Sequence, residues 1–139
     1  MLTEAHRVLL VPKKPYLLGV TTQTSTGTPI TLTRPRYEAG VLNIALICRH
    51  AGGTAAPGTP TGFTSLTSST ADPDFRLAYE FSTGSVGPTT TSAATSATSM
   101  SGIVLSFGGV HSSRIPAQGG VATATSTSPN PAIFSNAFT

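Results

Sequence analysis

Three histidines, His6, His50 and His111, lie far apart in the sequence, and none has a metal-ligand spacing such as His-Glu-x-x-His. No metal site is expected from them. The acidic cluster Asp72-Pro73-Asp74, followed by Glu80, has the residue types of a calcium site or an acid/base pair. Asp-Pro-Asp is also a turn starter, and directly before an apolar alternation it reads better as the entry to a strand. Cys48 precedes Arg49 and His50, and a neighbouring imidazole could lower its thiol pKa. On a strand Cys48 and His50 share a face that Arg49 does not. The better reading is a buried structural thiol at the end of an apolar run. A nucleophile elbow, a phosphate-cradling Gly-rich loop and a dinucleotide fingerprint are all missing from the sequence. The chain is therefore not expected to be an enzyme, and no catalytic residue, cofactor or metal ligand is assigned.

Basic residues gather at the start. Arg7, Lys13, Lys14, Arg34 and Arg36 fall in the first 36 positions, with Glu4 as the lone carboxylate there. Phosphate contacts need such clusters, but only Tyr16 and Tyr37 stand near for stacking, so specific nucleic-acid recognition is not expected. An acidic protein surface requires only the charge. The same region carries apolar teeth at Val8, Leu9, Leu10, Val11, Leu17 and Leu18, broken by Pro12 and Pro15, which favour an extended strap over a helix. Burial of each tooth is worth about 1.5–3 kcal/mol, and a lone strap cannot achieve it against itself. Val8, Leu9, Leu10, Val11, Lys13, Lys14, Leu17 and Leu18 are the candidate docking residues of an arm at 1–20, ahead of a domain at 21–139.

The elements behind these residues read as all-β. The chain has 139 residues, 14 Gly and 11 Pro, with 16 Ser and 24 Thr, a composition that suits pleated surfaces and turns and leaves few windows for a long helix. Charged residues are 9% and the net charge is +3, so the surface is mostly neutral hydroxyl. A single cysteine excludes an internal disulfide, as expected of a protein made in a reducing cytoplasm. No apolar run approaches the roughly 20 residues of a membrane span, and the first 20 residues do not read as a secretory signal. Phe75, Leu77, Tyr79 and Phe81 alternate with Arg76, Ala78, Glu80 and Ser82, predicting one core face and one wet face; Ile30 and Leu32 alternate likewise. Val41 to Ile47 and Ile103 to Phe107 are near-continuous apolar runs, as in central strands buried on both faces or at an interface. The expected core comprises Ile44, Leu46, Phe75, Leu77, Tyr79, Val104 and Phe107. Loops are expected at 52–60 and 84–91, a strand or linker at 89–101, and a further strand at 121–126. Such short strands with turn signals between them indicate an antiparallel β-sandwich or barrel.

Pro60-Thr61-Gly62-Phe63-Thr64-Ser65-Leu66 resembles the Pro-x-Gly-Trp-Thr-x-Leu signature of a jelly-roll module of bacteriophage virion appendages and bacterial surface proteins. Pro29 to Thr33 with Val41 to Ile47 resembles its opening strands, and Arg76 to Tyr79 its middle strand. Ser101 to Val110 resembles its central strand, and Ile115-Pro116-Ala117 with the strand after Gly120 its close. Phe63 replaces the usual Trp, and the module's last apolar strand is missing, an edge left for the arm to fill in its own subunit or in a neighbour. The resemblance implies a jelly-roll-like sandwich and a phage virion structural protein, located in the virion and assembled in the host bacterial cytoplasm. The expected role is a head decoration or cement protein that binds the capsid shell through its amino-terminal arm and sandwich edge. The alternative is a tail, baseplate or host-surface glycan-binding component, although a chain without Trp and with three Tyr is poor in sugar-stacking rings. Expected partners are the major capsid protein or other virion proteins and further copies of itself, a trimer among the arrangements left open. A host glycan belongs to the alternative; a membrane is not expected.

Overall fold

A computed structural model describes residues 14–50, 55–70, 74–94 and 99–113. These form seven strands and, among the described residues, no helix: β1 (Tyr16–Ser25), β2 (Ile30–Thr33), β3 (Leu42–His50), β4 (Thr64–Ser69), β5 (Asp74–Phe81), β6 (Thr89–Ser92) and β7 (Ser99–Gly108). Five make one antiparallel sheet in the order β1-β7-β3-β5-β4, and β2 pairs β6 in a second, two-stranded sheet. The result is a sandwich-like all-β architecture. The two apolar runs are the neighbouring strands β3 and β7 at the middle of the large sheet, as the sequence predicts. Residues 84–88 are a loop, whereas β6 occupies the start of the hydroxyl-rich stretch read as strand or linker. The expected strand at 121–126 lies outside the described residues.

The large sheet is built the other way round from the sequence expectation. Its inner face, toward β2 and β6, carries Ala45 and Ile47 of β3, Ala78 of β5, and Met100 and Val104 of β7, which enclose Ile30, Leu32 and Phe63. Of the expected core, Val104 is there. Ile44, Leu46, Phe75, Leu77, Tyr79 and Phe107 lie on the opposite, outer face and are half-buried. Correspondingly Glu80 and Ser82, expected on the wet side of β5, are buried. The reason is volume. Ala45, Ala78 and Gly102 let the short second sheet approach closely, and at Gly102 a Cβ would stand 2.4 Å from Leu32 Cδ2, so any larger residue there makes this buried leucine shift. Large aromatics on the same face would hold β2 away.

The expected boundary between residues 20 and 21 falls inside β1, which runs unbroken from Tyr16 to Ser25 along β7, with a register shift between Leu17 and Gly19. Residues 16–20 are thus part of the large sheet.

Candidate functional site

The buried face of the large sheet holds more chemistry than apolar packing. Arg34, directly after β2, is 4% exposed and Glu80 of β5 is 6% exposed. The guanidinium meets the carboxylate through both Nε and Nη2, the latter at 3.0 Å from Oε2. Nη1 donates to the carbonyls of Gly87 (2.9 Å) and Thr89 (2.6 Å), Nη2 reaches that of Thr61 at 3.5 Å, and the group lies 5.3 Å from the centroid of the Phe63 ring. Every N–H of the guanidinium fork is used. Glu80 also accepts from Asn43 Nδ2 at 3.1 Å, and Ser106 Oγ donates to Asn43 Oδ1 at 2.5 Å. Backbone N–H of Arg36 closes the chain onto Ser106 Oγ at 3.1 Å. The network crosses β5, β3 and β7 and fastens the chain leaving β2, the turn at 60–63 and the 87–89 segment.

That turn explains the Pro60-Thr61-Gly62-Phe63 sequence. Phe63 N–H bonds to the Pro60 carbonyl at 3.0 Å, and Gly62 has φ +87°, the left-handed region that a type II turn demands at this place. The turn delivers Phe63 to the core and the Thr61 carbonyl to Arg34 and to Thr90 Oγ1, which donates to it at 2.7 Å. A cleft of about 350 Å³ lies over Arg34, Thr61, Gly62, Val86 and Gly87. The charge beneath it is already neutralised and its donors are spent, so the cleft has no cation left for an anionic ligand.

The sequence-level candidates separate in space. Asp74 pairs with the buried Arg49 at one end of β5 and Glu80 with Arg34 toward the other. Six residues of strand, about 20 Å, divide the two carboxylates, too far to act on one atom. Asp72 and Pro73 lie outside the described residues. Arg34, counted with the basic start of the chain, is a core residue, while Arg36 is an exposed partner of Glu38 at 3.3 Å, a contact of little energetic weight. Cys48 is half-buried on the outer face, and burial pushes its thiol pKa up, the opposite of an activated nucleophile. His111 is exposed, its Nδ1 2.7 Å from Ser113 Oγ. Among the described residues no three His, Cys, Asp or Glu side chains converge as a metal site. Of the arm residues, Lys14 is exposed, Leu17 is 54% exposed and Leu18 is half-buried. Val8, Leu9, Leu10, Val11 and Lys13 lie outside the described residues, as does His6.

The apolar runs of β3 and β7, expected to be buried on both faces or at an interface, form an outer face together with the aromatic side of β5. Ile44, Leu46 and Cys48 of β3 stand beside Phe75, Leu77, Tyr79 and Phe81 of β5 on one side and Ile103, Leu105 and Phe107 of β7 on the other. Val20 (46% exposed) and Leu17 extend the patch onto β1, and Thr64, Thr67 and Ser69 edge it on β4. Among its described residues none is charged. Its relief is uneven. Tyr79 and Phe81 pack edge to face, centroids 6.3 Å apart, within the ridge along β5. Across β3, Thr22, Thr24, Leu46, Cys48, Ser101 and Ile103 line an open hollow of about 230 Å³. Compared with protein families, curated proteins and solved structures, the chain finds no match.

Proposed function

We propose that this protein is a structural assembly subunit, specifically a phage virion protein of the head decoration or cement kind with a jelly-roll-like sandwich. The observation that carries the assembly reading is the uncharged apolar outer face of the large sheet. Large contiguous apolar patches mark protein interaction surfaces, and here half-buried apolar side chains run across neighbouring strands of a single sheet, with Leu17 and Val20 exposed on its β1 side. The buried chemistry supports the same role from the other side. Arg34, Glu80, Asn43 and Ser106 are spent on one another and on backbone carbonyls, which holds the platform rigid and leaves them with no reactant to act on.

The narrower phage assignment rests on the resemblance of residues 60–66 and the strands around them. In this reading residues 1–15 lead from the shell to the sandwich, with Lys13 and Lys14 meeting acidic groups beneath and β1 continuing the attachment into the sheet. Mass spectrometry of particles purified from the source virus tests it. The chain should appear in fixed proportion to the shell protein; particles that lack it would contradict the assignment.

A further inference from the structure

We infer that the outer face of the five-stranded sheet pairs with the same face of a second copy, with the two-fold axis running along β3. This rests on the assembly reading above and names its first partner. Three features of the face select a copy of itself. With no charged side chain among its described residues, bringing two together buries no unpaired ion. In the order β1-β7-β3-β5-β4 the strand β3 is central. A two-fold axis along it lays each β5 over the partner's β7. The Phe75 end of one copy's ridge then meets the hollow of the other at the same level, because Cys48 is the register partner of both Phe75 and Ser101.

The area also suffices. At about 4.8 Å between strands and about 3.3 Å per residue, five strands over the eight residues of β5 give roughly 600 Å² per copy. The pair would bury about 1,200 Å², the lower end of the range for specific interfaces. Such an interface is isologous and closes at two subunits, so it makes a dimer and not a filament.

The test is sedimentation equilibrium on the full chain, with Leu46→Glu and Phe75→Ser as variants and a thermal melt of each. The wild type should sediment as a dimer, and Leu46→Glu, which places a charge at the axis, should raise the dissociation constant by about 100-fold while keeping the β-sheet dichroism. Phe75→Ser should weaken the dimer without unfolding it. A bismaleimide spanning the roughly 10 Å between packed sheets should join Cys48 of one copy to Cys48 of the other in the wild type and fail in Leu46→Glu. A dimer that survives Leu46→Glu would place the interface elsewhere and overturn the proposal. So would a wild-type monomer, and its cause is readable: if Leu46→Glu then melts the fold, the chain's own residues 1–13 or 114–139 cover the face. If the wild type is monomeric, Leu46→Glu stays stable, yet the chain is found in particles, another virion protein covers the face and the assembly reading stands without the dimer.

Discussion

Replacing Arg34 with Ala removes the partner of a carboxylate that the fold has taken out of water. Glu80 is 6% exposed and would keep one modest donor, Asn43 Nδ2 at 3.1 Å, after losing both guanidinium contacts. Breaking a buried pair on one side costs about 3–5 kcal/mol, because the surviving charge is left uncompensated. The carbonyls of Gly87 and Thr89 border the open cleft, where water can replace the lost donors, so they add little. With a urea slope of about 2 kcal/mol/M, a loss of about 4 kcal/mol moves the unfolding midpoint down by about 2 M. Equilibrium urea titration followed by far-ultraviolet dichroism reads this directly. The double variant Arg34→Leu with Glu80→Leu should be more stable than Arg34→Ala, since it removes the stranded charge along with its partner. A midpoint shift below about 0.5 M for Arg34→Ala would mean that the inner face of β5 is open to water and that the sheet faces the other way round.

Gly102→Val should destabilise by about 1–3 kcal/mol in the same titration, since its Cβ would meet Leu32 Cδ2 at 2.4 Å and force the two sheets apart. Cys48 should react slowly with an aromatic disulfide reagent at neutral pH and faster as pH rises, because burial raises its thiol pKa. The neutral thiol is the form the fold favours, so its stabilising effect is present below the ordinary thiol pKa and fades as pH climbs through the raised folded value. In the proposed decoration role, neutralising Lys13 and Lys14 should slow attachment to the shell and reduce its salt dependence, measured as association rate across a sodium chloride series.

Strand positions were legible in the sequence because alternation and apolar runs depend on local spacing. Phe75, Leu77, Tyr79 and Phe81 do share one face, and Val41 to Ile47 does supply a central strand. Which face is inner was not legible, since period-two alternation sorts residues into two sets without saying which set meets the second sheet. That choice depends on Ile30, Leu32 and Gly102, brought together from distant parts of the chain. A signal was present in Asn43, a lone amide inside an apolar run that makes sense only with buried partners such as Glu80 and Ser106. Arg34 gave no such sign, because a basic residue after a short strand looks the same whether it faces solvent or a carboxylate 46 positions later.

Hydroxyl-radical footprinting of the chain within purified particles, set against the isolated Leu46→Glu variant, decides whether the outer face is covered in the assembly. Phe75, Leu77, Tyr79, Phe81 and Phe107 on the outer face should be strongly protected in the particle. Met100, buried between the sheets, should be protected equally in both samples. Oxidation of the outer aromatics at the same rate in particle and isolated variant would contradict the assembly proposal, since the face would then be bare in the assembly it is said to build.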